Sequence, residues 1–397
     1  MSGIFVGIDW GCQHHQTCVV DGTGERRLEL RTAHDRAGLE RLGEALAGFG
    51  PGLPIALERA EGLLVEQLLA LGHRIYPVNP RLAARLRERY RVAPAKDDAF
   101  DAYTLADALR HERDRWRPLL AATPELAELR ALVRDRERIV AEQVRVEAQL
   151  RAILECYHPA AARLFSSVDR QITLAFIRDY PTAEQAARLG PVRMQRFLER
   201  HGYRGRVPAA ELLARLQAQL VSGAPGTTAG KSRSALAFVD LLELLNAKRD
   251  ELDRAVATAL ARHSDAELFL SFPGVATQTA ATLLAEIGED RGRFPEPAML
   301  LAEAGLAPIT RRSGASSRVR FRLAANHHLR DAFTWWAFNS LKSSPWARTR
   351  YDAARGRGQR SYRALRGVGA CWARVLWRCW QDSTLYEPQR HGRDTAA

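Results

Sequence analysis

Four carboxylates occupy positions from which a fold could gather them. Asp9 closes the apolar run Ile4 to Asp9 in Gly7-Ile8-Asp9-Trp10-Gly11, and Glu58 closes Ala56-Leu57-Glu58. Asp98 and Asp101 lie at i and i+3 in a helical stretch, so they share one helix face. Four carboxylates brought together cannot all stay ionised without cations, and oxygen-only donor sets suit Mg²⁺ or Mn²⁺. Two such ions about 4 Å apart can activate an attacking oxygen and stabilise a leaving one during phosphodiester cleavage. Taken singly, each acid also reads as a solvated group at the end of an element. Asp97 is an alternative to Asp98. His14 and His15 could ligate a metal, or be solvent-exposed loop residues.

A serine offers a second chemistry. Ser313 follows Arg311 and Arg312, and precedes Gly314, Ser316, Ser317, Arg318, Arg320 and Arg322. A serine hydroxyl among arginines can attack a phosphorus centre, because guanidinium groups neutralise the charge that develops. It needs a base or a metal to take its proton. None lies nearby in sequence, so another domain or chain must supply it. The same basic loop also reads as a plain phosphate contact. Upstream, Leu270 to Ala276 and then Thr279 to Ile287 read as helix, glycine turn, helix. That is similar to a helix-hairpin-helix, whose backbone N–H groups face a phosphate. Gly274, Arg311, Arg312, Arg318, Arg320 and Arg322 are thus the candidate nucleic-acid contacts.

The elements that must position these residues can be read from periodicity. Ile4 to Asp9, Thr17 to Val20 and Leu28 to Thr32 predict three strands, with the turn Asp21-Gly22-Thr23-Gly24 between the last two. His34 to Phe49 predicts a helix, Pro54 to Glu58 a strand, Gly62 to Leu71 a helix and His73 to Val78 a strand. Helices follow over Arg81 to Arg91 and Asp98 to Arg110. Three hairpin-like strands, then alternating helices and strands, is the order of an RNase H-like (RuvC-like) fold. Ligand sites of open α/β sheets gather at strand ends. Glu125 to Cys156 and Ser234 to Leu260 predict two long amphipathic helices. They flank shorter helices broken by Pro159, Pro181, Pro191 and Pro208, and a flexible Gly223 to Gly230 turn. The pair reads equally as an antiparallel coiled coil or dimerisation arm, or as a plain helical domain. The expected fold class is therefore α/β plus mainly α. Residues 1–112 form the acid-bearing domain, 113–262 a helical, coiled-coil middle, and 263–397 a basic helical domain that bears the serine.

The 397 residues carry 59 Lys+Arg against 46 Asp+Glu, a net charge of +13. Residues 306–397 hold 18 of those bases and only 5 acids, so the excess lies there, with six of the eight tryptophans. A basic segment interleaved with aromatics points to a polyanion, most simply nucleic acid. An Arg-rich genome is the plainer explanation, since only four of the bases are Lys. It would enrich arginine everywhere, however, and would not leave the excess in one segment. An apolar content of 46% excludes a disordered chain. No run approaches the roughly 18 apolar residues of a membrane span, and Met1 to Trp10 is not a secretory signal. Five cysteines without a CxxC pair point to a reducing cytoplasm.

Taken in order, several motifs resemble one family. They are Gly7-Ile8-Asp9, the strand-end Glu58, Ala95-Lys96-Asp97-Asp98-Ala99-Phe100-Asp101-Ala102, Phe272-Pro273-Gly274-Val275, and Ala304-Gly305-Leu306-Ala307-Pro308 leading to Ser313-Gly314. The chain resembles, over nearly its full length, the insertion-sequence transposases that join an N-terminal RuvC-like DEDD domain to a C-terminal transposase domain with a catalytic serine. That group includes bridge-RNA-guided recombinases and, more distantly, Piv-type DNA invertases. The resemblance implies that Asp9, Glu58, Asp98 and Asp101 are the metal ligands, for Mg²⁺ or Mn²⁺. It implies that Ser313 is the nucleophile, forming a transient phosphoserine link to DNA. It further implies a homo-oligomer, dimer or tetramer, in which the acids of one protomer serve the serine of another. The implied partners are DNA at the element ends and target and a structured guide RNA, in a bacterial, nucleoid-associated setting. Where this chain has Asp97 the family usually has a non-acidic residue, and residues 158–232 carry no family mark. The rival expectations are a RuvC-like nuclease or resolvase without a covalent intermediate, and a non-catalytic nucleic-acid-binding protein.

Overall fold

Alternate apolar residues near the N-terminus build the first sheet. In the computed structural model, which describes residues 3–90, 97–119, 121–313, 316–323 and 325–392, β1 (Phe5–Trp10), β2 (His14–Val20) and β3 (Arg26–Ala33) form an antiparallel meander. At residues 90, 311–313, 316–320 and 391–392 only the backbone is described. Helix α1 (Arg36–Ala47), started by the Asp35 side chain on Gly38 N–H at 2.8 Å, leads to β4 (Pro54–Leu57). Helix α2 (Leu63–Ala70) leads to β5 (Arg74–Pro77), and α3 (Pro80–Tyr90) and α4 (Asp98–Glu112) follow. The strand order is β3-β2-β1-β4-β5, with β4 parallel to both β1 and β5. This mixed sheet is consistent with an RNase H-like domain. Val6, Ile8, Val19 and Ile55 bury one face under α1 and α2. Phe5, Cys18, Val20 and Ala56 bury the other under α3 and α4.

The chain divides into two compact units, Met1–Ala121 and Ala122–Ala397. The second is built on two long helices, α5 (Pro124–Tyr157) and, later in the chain, α11 (Pro225–Arg262). Between them run α6 (Pro159–Arg163), α7 (Gln171–Asp179), α8 (Ala183–Ala187), α9 (Pro191–Arg200) and α10 (Ala209–Ala218). Leu126, Leu129 and Val133 of α5 share one core with Val256, Ala259 and Leu260 of α11. Val146, Leu150 and Leu154 share another with Ala235, Val239 and Leu242. The start of one helix thus meets the end of the other, so they run antiparallel. The interval between the two cores mixes polar contacts with partly buried side chains such as Ile139. There the Gln143 amide donates to Asn246 Oδ1 at 2.6 Å, and Arg136 pairs with Asp253.

One expectation for this region is corrected. Gly223 to Gly230 is not a flexible turn, because α11 already begins at Pro225 and runs through Gly226 and Gly230. Proline fits a first helical position, and the helix continues through glycines that cost about 1 kcal/mol each. Pro159 and Pro191 likewise start helices rather than break them.

Around the first of these cores fold α12 (Ala266–Leu270), α13 (Thr277–Ile287) and α14 (Pro297–Glu303). A hairpin of β6 (Ile309–Ser313) and β7 (Ser316–Arg320) follows, then α15 (His327–Ser343), α16 (Pro345–Gly356) and α17 (Ser361–Gln381). Trp336, Trp372, Phe333 and Trp380 are fully buried there. No described helix is long and apolar enough to cross a membrane.

Candidate functional site

A glycine lets the helix that carries Asp101 lie against the strand that carries Asp9. Gly7 lies in β1 two residues before Asp9. A Cβ there would stand 2.1 Å from the Ala102 carbonyl oxygen and 2.4 Å from the Ala106 nitrogen. Only a residue without a side chain lets the α4 backbone lie against β1. The turn that carries Asp101, next to Ala102, therefore rests on the strand that carries Asp9. Side chains alternate along strands, so Asp9 shares the face of Gly7, and Glu58 continues the face of Ala56. Val6–Ile55 and Ile8–Leu57 are register partners in the parallel pair. That pairing ends at Leu57, and Glu58 follows β4 in a bend.

Asp101 is 4% exposed and accepts a bond from Arg87 Nη1 at 2.7 Å. The same nitrogen lies 4.0 Å from Glu58 Oε1. Arg87, on α3, is thus a cation held between two of the four acids. The sequence pattern did not mark it, since Arg81 to Arg91 is rich in arginine throughout. Asp98 is exposed in the first turn of α4. Asp97 is the N-cap, and its carboxylate accepts from Ala99 N–H at 3.1 Å. Among the described residues, no three His, Cys, Asp or Glu side chains converge within reach of one ion. Two of the acids, Glu58 and Asp101, have a guanidinium between them. His15 is turned away from them. It pairs with Trp10 in the sheet, on the opposite face from Asp9, and its Nε2 lies 2.8 Å from His34 Nδ1. Burial, with His34 and His14 nearby, pushes its pKa down to about 4. His14 is exposed.

In the second unit, Gly274 joins α12 to α13 with φ +77°. A Cβ there would meet the Ser340 nitrogen at 2.6 Å, so the glycine also serves close packing against α15. Trp336 Nε1 donates to the Pro273 carbonyl at 3.0 Å and ties the same turn down. Ser313 lies not in a loop but at the end of β6, where it pairs with Ser316 across the hairpin. The side chains of Ser313, Arg311, Arg312, Arg318 and Arg320 lie outside the described residues, as does Gly314. Arg322 is half-buried, and its Nε has no hydrogen-bond partner.

Glu286 of α13 braces the segment after the hairpin. It is 3% exposed and receives bonds from Arg134 at 3.1 Å and from Asn326 Nδ2 at 2.6 Å. Burial alone would raise its pKa, but the Arg134 bond and charge hold it below the usual carboxylate range. The Asn326 side chain in turn accepts from Leu329 N–H and caps α15. The aromatics divide between core and surface. Trp335 is 63% and Phe338 44% exposed, in an edge-to-face pair at 6.2 Å. The neighbouring Trp336 and Phe333 are buried. An exposed pair beside Lys342 is a surface on which bases can stack.

A family model described as "Transposase", for the DEDD domain of IS110-type elements, matches residues 6–159. A second, described as "Transposase IS116/IS110/IS902 family", matches residues 266–352. The chain is 34% identical to the candidate transposase of the IS117 mini-circle of Streptomyces coelicolor, over 98% of this chain and 96% of that one. It is 28% identical to the 42 kDa protein of insertion element IS900 from Mycobacterium paratuberculosis, over 97% of each. It is 28% identical to the 44.8 kDa protein of insertion element IS116 from Streptomyces clavuligerus, over 97% of this chain and 96% of that one. With both family models matched in order and relatives aligned end to end, the chain belongs to the IS116/IS110/IS902 family of transposases.

Proposed function

We propose that the protein cuts and rejoins DNA at the ends of an insertion element and at its target. Asp9, Glu58, Asp98 and Asp101 form the carboxylate site, and Ser313 is the nucleophile. One observation carries the acid site. Glu58 and Asp101 flank a cation, the Arg87 guanidinium, at 4.0 Å and 2.7 Å. An all-oxygen set of this kind fits a hard divalent cation, and Mg²⁺ or Mn²⁺ held there supplies Lewis-acid stabilisation of phosphodiester oxygens.

In this reading Ser313 Oγ gives its proton to a site carboxylate supplied by another protomer and attacks phosphorus. A DNA oxygen leaves, and a phosphoserine ester forms. A hydroxyl of the second strand then attacks that ester, which restores the serine and joins the strands. Arg311, Arg312, Arg318, Arg320 and Arg322, with the Gly274 turn, hold the backbone and neutralise charge on the phosphoryl oxygens. The basic last third and the helical middle also hold a structured guide RNA.

A strand-exchange assay with Mg²⁺ tests both halves. Ser313→Ala should give neither exchange nor a covalent protein–DNA adduct. Unchanged exchange would leave a RuvC-like nuclease that works with acids and water. Asp9→Ala should abolish cleavage and keep DNA binding, and retained cleavage overturns the carboxylate site. Protein stripped of RNA that still recombines its own ends refutes the guide.

A further inference from the structure

Three arginines at the root of the β6–β7 hairpin have no acid to answer them. Phe321 leaves β7, and two guanidinium groups stack on its ring. The Arg330 Cζ lies 4.5 Å and the Arg366 Cζ 4.4 Å from the ring centroid. Arg330 comes from the first turns of α15 and Arg366 from α17, so three elements converge on this ring. Arg330 is 5% exposed. Its Nη2 donates to the Arg322 carbonyl at 2.9 Å, which draws Arg322 into the same cluster. The packing is tight: a Cβ on Gly305 would stand 2.4 Å from that Nη2 and 2.8 Å from Nε. Among the described residues, the buried Nε atoms of Arg322, Arg330 and Arg366 have no hydrogen-bond partner.

No carboxylate pairs with any of the three among the described residues. The sequence explains why. Residues 304–330 contain six arginines and no Asp or Glu, and α17 contains four arginines and no acid. Burial and the neighbouring Arg330 and Arg363 charges hold the Arg366 pKa below its ordinary value. Arg330 is buried and Arg322 and Arg366 are half-buried, and cations shielded from water without counter-ions are costly, so a cluster of this kind is stabilised when an anion completes it. Guanidinium groups match the oxygens of phosphate in a planar, two-pronged geometry that an ammonium does not.

We propose that Arg322, Arg330 and Arg366, set around Phe321, form a pocket for one phosphodiester group of a nucleic-acid strand. This rests on the nucleic-acid reading of the protein and adds a site and residues to it. The pocket does not hold the phosphate under attack. At a strand rise of about 3.3 Å per residue, Phe321 lies about 17 Å from the hairpin tip. That is about five base pairs of duplex at about 3.4 Å each. The pocket anchors the backbone to one side of the reacting phosphate and fixes the hairpin on it.

The test uses the full chain and measures affinity over a series of KCl concentrations, with a mixed-sequence DNA duplex and with an RNA hairpin. Arg366→Gln should weaken binding, and the slope of log K against log salt should fall by about one. Arg366→Lys keeps the charge and loses the planar fork, so it should keep the slope and still bind more weakly. A change confined to the DNA arm assigns the strand as DNA, and one confined to the RNA arm assigns it as RNA. A folded Arg366→Gln protein with wild-type affinity and slope on both overturns the pocket and leaves Phe321 a structural clamp. If Arg366→Gln does not fold, wild-type affinity in Arg366→Lys overturns it instead. Wild-type protein that binds neither nucleic acid overturns the nucleic-acid reading itself.

Discussion

The acid site shows what single residues reveal in a sequence and what they conceal. The elements that carry Asp9, Glu58 and Asp101 were legible because strand and helix periods are local. Arg87 was not legible, since its role depends on α3 crossing the face that bears Glu58 and Asp101. Asp97 is the N-cap of α4, which its bond to Ala99 N–H at 3.1 Å shows and the sequence pattern did not. Arg87 leads to a prediction that does not depend on turnover. Asp101 is 4% exposed and loses its cation in Arg87→Gln, and uncovering a buried carboxylate costs about 3 kcal/mol or more. The urea midpoint measured in EDTA should therefore fall. Added Mg²⁺ or Mn²⁺ should restore more stability to Arg87→Gln than to the wild type, since the ion no longer competes with a guanidinium. Equal responses of the two proteins to metal would show that Arg87 and the ion do not share the site.

At the scale of elements, every strand and most helices of the first unit fall within a few residues of the positions their periodicity predicts. The failures came where distant packing overrides local preference. Glycines at 226 and 230 read as a turn, yet the helix continues through them. Ser313 read as a loop because its strand is short and arginine-rich, and only its partner β7 makes it a strand. Element packing also sets a pH dependence. His15 of β2 is fully buried with its pKa near 4, and burial lowers that of His73 as well. Unfolded histidines titrate near 6.5, so between the two values the unfolded chain binds more protons. Stability of the first unit is then complete above about pH 6.5 and declines as pH falls toward 4. His15 alone should remove about 2 kcal/mol between pH 7.5 and 5. Hydrogen exchange of the β1 and β2 amides, corrected for intrinsic rates, measures this. In the second unit His328, raised by its bond to Glu137, has the opposite sign and offsets His158, which burial holds near 4. A flat profile for β1 and β2 would mean that His15 can protonate without opening the sheet.

At the scale of the whole molecule, the charge map drew attention to residues 306–397, while the architecture depends on what α5 and α11 connect. Two cores lie along one helix pair. The first holds Phe269, Phe333, Trp336 and Trp372; the second holds Tyr157, Phe176 and Phe197. Between them the helix pair is joined by Gln143–Asn246, Arg136–Asp253 and other polar contacts, with only partly buried apolar side chains such as Ile139 beside them. Polar contacts of this kind contribute about 1 kcal/mol each, against about 2 kcal/mol for each large apolar side chain buried in either core. The cores are therefore weakly coupled and should open as separate cooperative units. Phe176→Ala tests this, because Phe176 is fully exposed only when the second core opens, and its truncation costs about 3–5 kcal/mol. Native-state hydrogen exchange should show that loss in α7, α9 and the facing halves of α5 and α11. The amides of α15 and α17, around Trp336 and Trp372, should keep wild-type protection. Equal loss in α17 would mean that the polar interval transmits stability and the second unit folds as one. Independent opening would mean that the helical region between 139 and 245 can rearrange on a partner while the hairpin that carries Ser313 stays in place.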